Sequence, residues 1–149
     1  MDNKLLVSKE EVTSFIPQQA PIVMVDALIY SDDKKAVSTF LIEKENMFVK
    51  DGFFEEPGII ENMAQTAALK AGYEIKKLGA LPKIGFIGGI KNLFIYQLPA
   101  IGETLTTEIY LENEIFGITI VKTKAFCKDS LCAECELRIA LQTEDKLSG

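Results

Sequence analysis

The sequence predicts an α+β domain in which one long central helix is wrapped by a curved antiparallel sheet of about five to six strands. Two observations carry this. Between Glu55 and Gly79 the apolar and small residues Ile60, Met63, Ala64, Ala67, Ala68, Ala71, Gly72 and Ile75 recur at the helical period. From residue 84 onward the chain alternates apolar and polar residues in runs separated by turn residues. The order is therefore a short helix, two strands, the long helix, then about four strands, all within one domain, 1–149.

Ser8-Lys9-Glu10-Glu11 is a capping-box pattern and predicts a short helix that ends before Pro17. Ile22 to Ser31, apolar and rich in β-branched residues, reads as a strand, Asp32-Asp33 as its turn, and Ala36 to Glu43 as the strand running back. Glu55-Glu56-Pro57-Gly58 opens the long helix, with acids and a proline where the helix dipole and the free N–H groups favour them. Lys76, Lys77 and Gly79 close it after about 20 residues. Its inward face is small (Ala64, Ala67, Ala68, Ala71, Gly72), which predicts a helix gripped closely by a sheet.

Ile84 to Gln97 reads as a strand carrying a Gly88-Gly89 bulge or close approach. Leu98 to Gly102 is a turn, and Leu105, Thr107, Ile109 and Leu111 alternate along the next strand. Ile115 to Phe126 and Cys135 to Leu141 continue the pattern, with a tight turn at Asp129-Ser130. The first residues, 1–6, and the polar tail, 143–149, read as flexible.

The 149 residues include 16 Lys and Arg against 22 Asp and Glu, a net charge of −6. Such an acidic chain is a poor general binder of nucleic acid or of anionic membrane. No apolar run approaches the roughly 20 residues needed for membrane insertion as a helix. The opening Met1-Asp2-Asn3-Lys4 lacks signal-peptide character, and the expected compartment is the cytoplasm.

The chain contains no histidine. That excludes Ser-His-Asp and Cys-His nucleophile systems and any imidazole base within the chain itself, and removes the usual zinc ligand. Proton transfer must use carboxylates, Tyr, Lys, Cys or water. Cys127, Cys132 and Cys135 are three, an odd count, and Cys132-Ala133-Glu134-Cys135 lies in an alternating segment where residues three apart face opposite sides of a strand. Inert thiols are the better reading, with neither metal nor cofactor expected.

Two stretches resemble a known family. Ile16-Pro17-Gln18-Gln19-Ala20-Pro21-Ile22-Val23-Met24-Val25-Asp26 is similar to the Leu-Pro-His-Arg-x-Pro opening of the hotdog-fold β-hydroxyacyl-acyl-carrier-protein dehydratases. Asp51-Gly52 followed by Glu61-Asn62-Met63-Ala64-Gln65 resembles a divergent branch associated with aryl-polyene-type lipid synthesis. A looser match runs from Phe86 to Phe94 and through Pro99, Gly102 and Leu105. The loop Met47 to Glu56 lacks the catalytic His of the main branch, and Gln18 and Gln19 replace the opening His and Arg.

The resemblance implies acyl thioester substrates, carried by acyl carrier protein or coenzyme A, and fatty-acid or aryl-polyene-type synthesis. It implies a homodimer or higher homo-oligomer, with the helix acid and the base meeting across the subunit interface. Exposed sheet edge and face point to dimerisation independently. Glu61 matches the helix acid, with Gln65 one turn on. Asp51 is the candidate second proton-transfer group, with Glu55 beside it in the sequence. Gly58, Gly88 and Gly89 are candidates to present a backbone N–H to the thioester carbonyl. Phe53, Phe54, Met63, Phe86 and Phe94 are candidates to line an acyl tunnel, against the plain alternative that they are core. Lys70, Lys76, Lys77, Lys83 and Lys91 form a basic stretch suited to an acidic carrier or a phosphate, against the alternative of a solvated helix end. For Glu61 the alternative is a first-turn acid that merely stabilises the helix. Three functions share this pattern: a dehydratase, a non-catalytic carrier-binding or heterodimer partner subunit, and an acyl thioesterase.

Overall fold

The structure, a computed structural model, describes residues 5–79 and 85–141. A short 3-10 turn, Val12–Ser14, is followed by β1 (Ala27–Ser31), β2 (Lys35–Leu41), β3 (Val49–Lys50), β4 (Phe53–Phe54) and helix α1 (Glu56–Lys77). Then come β5 (Gly85–Ile95), β6 (Thr104–Ile115), β7 (Ile118–Cys127) and β8 (Ser130–Leu141). Among the described residues β1, β2, β6, β7, β8 and β5 form, in that spatial order, one antiparallel sheet, and β3 and β4 a separate hairpin. Leu105, Ile109, Val121 and Leu137 of the sheet, Ile59, Met63 and Leu69 of α1, and Phe40 and Phe54 share the core.

The capping pattern is present in part. Ser8 N–H and Oγ both contact Glu11 Oε1, at 3.0 and 3.1 Å. At the N-terminal stretch expected to be loose, Leu6 N–H already donates to the Leu28 carbonyl at 2.8 Å, and Val7 bridges to Leu28. That pairing covers the outer edge of β1. Residues 143–149 lie outside the described residues.

The strand expected from Ile22 begins only at Ala27. The polar backbone of Ile22 and Met24 is taken up by side chains of α1 instead of by a neighbouring strand. Met24 N–H donates to Gln65 Oε1 at 2.6 Å, and the Ile22 and Met24 carbonyls accept from Gln65 Nε2 and Asn62 Nδ2 at 2.9 and 2.7 Å. A further hairpin, β3–β4, stands between β2 and α1. It turns at Asp51-Gly52, with φ of 54° and 87°, the left-handed pair that a two-residue hairpin requires. The β6–β7 turn is Phe116-Gly117, and the last hairpin turns at Lys128-Asp129, one residue earlier than predicted, so that Cys127 pairs with Ser130.

The expectation of a small helix face gripped by the sheet is corrected. Gly72 is closely packed, but against the N-terminal segment: a Cβ there would lie 2.1 Å from the Phe15 carbonyl oxygen. Ala64, Ala67, Ala68 and Ala71 border open space. The side of α1 that meets β2 and β6 carries a polar row one turn apart: Thr107 Oγ1 donates to Asn62 Oδ1 at 2.5 Å, Thr66 Oγ1 and Ser38 Oγ lie 2.7 Å apart, and Lys70 Nζ donates to the Asp32 carbonyl at 2.7 Å. These buried polar groups are fully paired, so the row fixes the helix's rotation on the sheet without stranding a donor.

Candidate active site

The small face of α1 forms one wall of a cavity of about 410 Å³, within the range of small-molecule sites. Glu61, Ala64, Ala68, Ala71 and Glu74 run along it, which by helical rise is about 20 Å. Opposite stand Ile87, Leu111, Val121 and Ile139, one from each of β5, β6, β7 and β8. Pro17 and Gln18 also line the cavity. Alanine on the helix leaves the space, and branched side chains on the sheet make the facing wall apolar.

Glu61 is the sixth residue of α1, beyond the first turn and its free N–H groups. It is half-buried and lines the cavity, so the alternative of a first-turn acid that merely stabilises the helix does not describe it. What holds it is Gln65, whose Nε2 donates to Glu61 Oε1 at 2.7 Å. Gln65 itself is fully buried, and its amide is spent on Glu61, Met24 N–H and the Ile22 carbonyl. A carboxylate fixed through one oxygen keeps the other available for proton transfer.

Along the helix from Glu61, Lys70 and Glu74 also line the cavity as an ion pair, with Lys70 only 2% exposed. This corrects the basic stretch: Lys70 is an interior group and offers no docking charge. Lys76 and Lys77 lie over the rings of Phe15 and Tyr73, Lys91 is exposed on β5, and Lys83 lies outside the described residues.

The remaining candidates scatter. Asp51 is exposed at the tip of the β3–β4 hairpin and does not line Glu61's cavity, and Glu55 is the N-cap residue of α1. Gly58 is needed for packing, since a Cβ there would come within 2.8 Å of both Phe54 and Phe48. Gly88 and Gly89 sit at a register shift of β5, and a Cβ at Gly88 would meet the Arg138 carbonyl oxygen at an ordinary 3.6 Å, so a bulge accounts for them better than close approach. Phe54 and Met63 are fully buried core, while Phe53 and Phe94 are exposed and away from the cavity. Phe86 lies in β5, its side chain outside the described part.

Burial pushes the thiols of Cys127 and Cys135 up, away from the reactive thiolate. Among the described residues no group of three or more His, Cys, Asp or Glu is placed to hold a metal ion. Sequence reading missed Gln18 as a cavity residue and the row Asn62, Thr66, Lys70. The row's four-residue spacing along an otherwise apolar helix is the signal that marks it.

The family model of the ApeP dehydratases (ApeP-like) matches residues 10–147. The chain belongs to the ApeP-like family. This ApeP-like chain is 27% identical over 145 residues to the 3-hydroxyacyl-acyl-carrier-protein dehydratase FabZ of Burkholderia mallei, covering 91% of each. It is 26% identical over 147 residues to FabZ of Chloroflexus aggregans, covering 95% of this chain and 100% of that one. Its structure superposes on the dehydratase heterocomplex ApeI:P from Xenorhabdus doucetiae with a TM-score of 0.79 at 16% identity, covering 92% and 94% of the two chains. The helix on its antiparallel sheet is thus the hotdog fold, and this ApeP-like protein is a hydroxyacyl-carrier-protein dehydratase-like hotdog protein, of the hydro-lyase kind.

Proposed function

We propose that the cavity takes the acyl chain of a 3-hydroxyacyl thioester, with Glu61 at the reacting carbons and the chain lying along Ala64, Ala68 and Ala71. The observation that carries this is a half-buried carboxylate, fixed by Gln65, in an apolar cavity of about 410 Å³. Dehydration breaks the C2–H and C3–O bonds. The proton goes to a base, and the hydroxyl leaves as water after receiving a proton from an acid. Glu61 supplies one of these transfers, and Gln65 positions it. The thioester is carried by acyl carrier protein or coenzyme A, in fatty-acid or aryl-polyene-type synthesis in the cytoplasm.

The second transfer is assigned to a group from a partner subunit. The outer edge of β5 is unpaired among the described residues, with Ile87, Ile90 and Phe94 exposed along it. Since Ile87 also lines the cavity, pairing two subunits through β5 covers this apolar edge and closes the site. In a homodimer the partner's copy of Asp51 or Glu55 would be the second group. In the second reading the partner is a homologue that brings a His, and this chain is the supporting subunit. That reading is favoured by the chain's lack of His and by its likeness to a dehydratase heterocomplex.

The test is elimination of water from 3-hydroxyacyl-carrier-protein by the purified protein, alone and mixed with a His-bearing homologue, followed as the conjugated enoyl thioester. Activity alone that disappears in Glu61→Gln supports the dehydratase. Activity only in the mixture supports the partner-subunit reading. Thiol release from a saturated acyl thioester, without elimination, would make the protein a thioesterase and overturn both.

A further inference from the structure

Lys70 and Glu74 line the cavity at the end away from Glu61, and the proton transfer assigned to Glu61 makes no use of them. Between the two ends the walls are apolar, with Ala64, Ala68 and Ala71 on one side and Ile87, Val121 and Ile139 on the other. The pair is fixed to the turn between β1 and β2. Lys70 Nζ donates to the Asp32 carbonyl at 2.7 Å and to Glu74 Oε2, and Ser31 Oγ donates to the same Glu74 oxygen at 3.3 Å. Lys70 is only 2% exposed, whereas the Glu74 side chain is 42% exposed. Glu74 cannot swing aside without leaving a buried ammonium short of its counter-charge, and it relies on water for the rest of its solvation.

We propose that the Lys70–Glu74 pair is the chain-length stop of the cavity, the feature that limits how long a methyl-ended acyl chain the protein accepts. The inference rests on the acyl-thioester reading of the cavity and adds to it where the chain must end. Each methylene that leaves water for the apolar walls raises affinity by up to roughly fourfold. Laid against the pair, a methylene displaces water from a carboxylate and returns no hydrogen bond, so the gain stops there. By helical rise Lys70 lies roughly 14 Å and Glu74 roughly 20 Å along α1 from Glu61. An extended chain advances about 1.2 Å per bond. With its third carbon at Glu61, an octanoyl chain ends among the alanines and a hexadecanoyl chain runs into the pair.

The experiment compares octanoyl-CoA with hexadecanoyl-CoA, below the concentration at which the longer thioester forms micelles. Affinities are measured by calorimetry in a Glu61→Gln background, where turnover does not intrude. The expected result is that the longer thioester binds no tighter than the shorter. Lys70→Met combined with Glu74→Leu replaces the pair by apolar side chains, a change that buried ion pairs often tolerate. It should tighten hexadecanoyl-CoA by about tenfold or more, with octanoyl-CoA unchanged. Glu74→Gln keeps an acceptor for Lys70 and should shift the ratio of the two affinities the same way by a few-fold, so the test does not depend on the double variant folding. A parent that binds hexadecanoyl-CoA more tightly than octanoyl-CoA overturns the assignment, as does a folded variant whose ratio equals the parent's. If the parent binds neither thioester, the acyl reading of the cavity falls and this inference with it. A missing length limit alone leaves that reading standing.

Discussion

Gln65 Nε2 lies 2.7 Å from Glu61 Oε1 and 2.9 Å from the Ile22 carbonyl oxygen, so one buried amide joins the helix carboxylate to the loop that faces it. The Met24 N–H completes the set from the other end of the amide. Gln65→Ala strands that buried N–H and carbonyl, and is expected to destabilise the fold by about 1–3 kcal/mol. It also releases Glu61, so turnover should fall further than the lost stability explains. Urea unfolding beside the elimination assay reads both. An unchanged unfolding midpoint would mean the amide is not the tie described.

Ala68 borders the cavity midway along the helix wall. Ala68→Phe fills space that is open, so the stability change should stay within about 1 kcal/mol, below the cost of overpacking a filled core. Octanoyl-CoA binding should drop sharply while acetyl-CoA binding persists. Titration with the two thioesters decides the matter. Equal affinity of the variant and the parent protein for the long chain would put the acyl site elsewhere.

Two turn and packing positions should respond in opposite directions. At Gly72 an added Cβ meets backbone, the Phe15 carbonyl oxygen, which cannot swing aside as a side chain would. Gly72→Ala is expected to cost about 1–3 kcal/mol. Phe116 is fully exposed and sits at φ 50°, a conformation unfavourable for a bulky residue and suited to Asn in a two-residue turn. Phe116→Asn should stabilise by about 1 kcal/mol. Thermal unfolding of the two variants gives the signs, and a stabilised Gly72→Ala would contradict the close contact.

The Asp32 carboxylate accepts hydrogen bonds from Tyr30 Oη and from the backbone N–H groups of Lys34 and Lys35, at 2.5, 2.8 and 2.7 Å. The Tyr30 hydroxyl, followed by the two N–H groups, pulls its pKa down to about 2 from an ordinary 3.8. A depressed carboxyl pKa contributes stability that is complete above the unfolded value and is lost as the pH falls through about 2. Asp32→Asn should therefore flatten stability against pH between roughly 4 and 2. A carboxyl resonance of Asp32 titrating near 3.8 in an NMR pH series would contradict the hydrogen-bond geometry.

The order of elements, the long helix and the strands after it follow from periodicity and turn residues, which are local properties of the chain. The sequence alone determined as well that Glu61 and Gln65 share one helix face, since a separation of four residues places them one turn apart. It also excluded an imidazole from the chain's own site. Tertiary structure decided what those side chains touch. Gln65 meets Ile22 and Met24 across 43 and 41 residues, and Thr107 reaches Asn62 across 45. No local period encodes such pairings, so the residues before Ala27 read as strand while their backbone is bound by the helix. The same holds for Ala64, Ala68 and Ala71: smallness signals close packing as readily as empty space, and only the position of the sheet opened that face into a cavity.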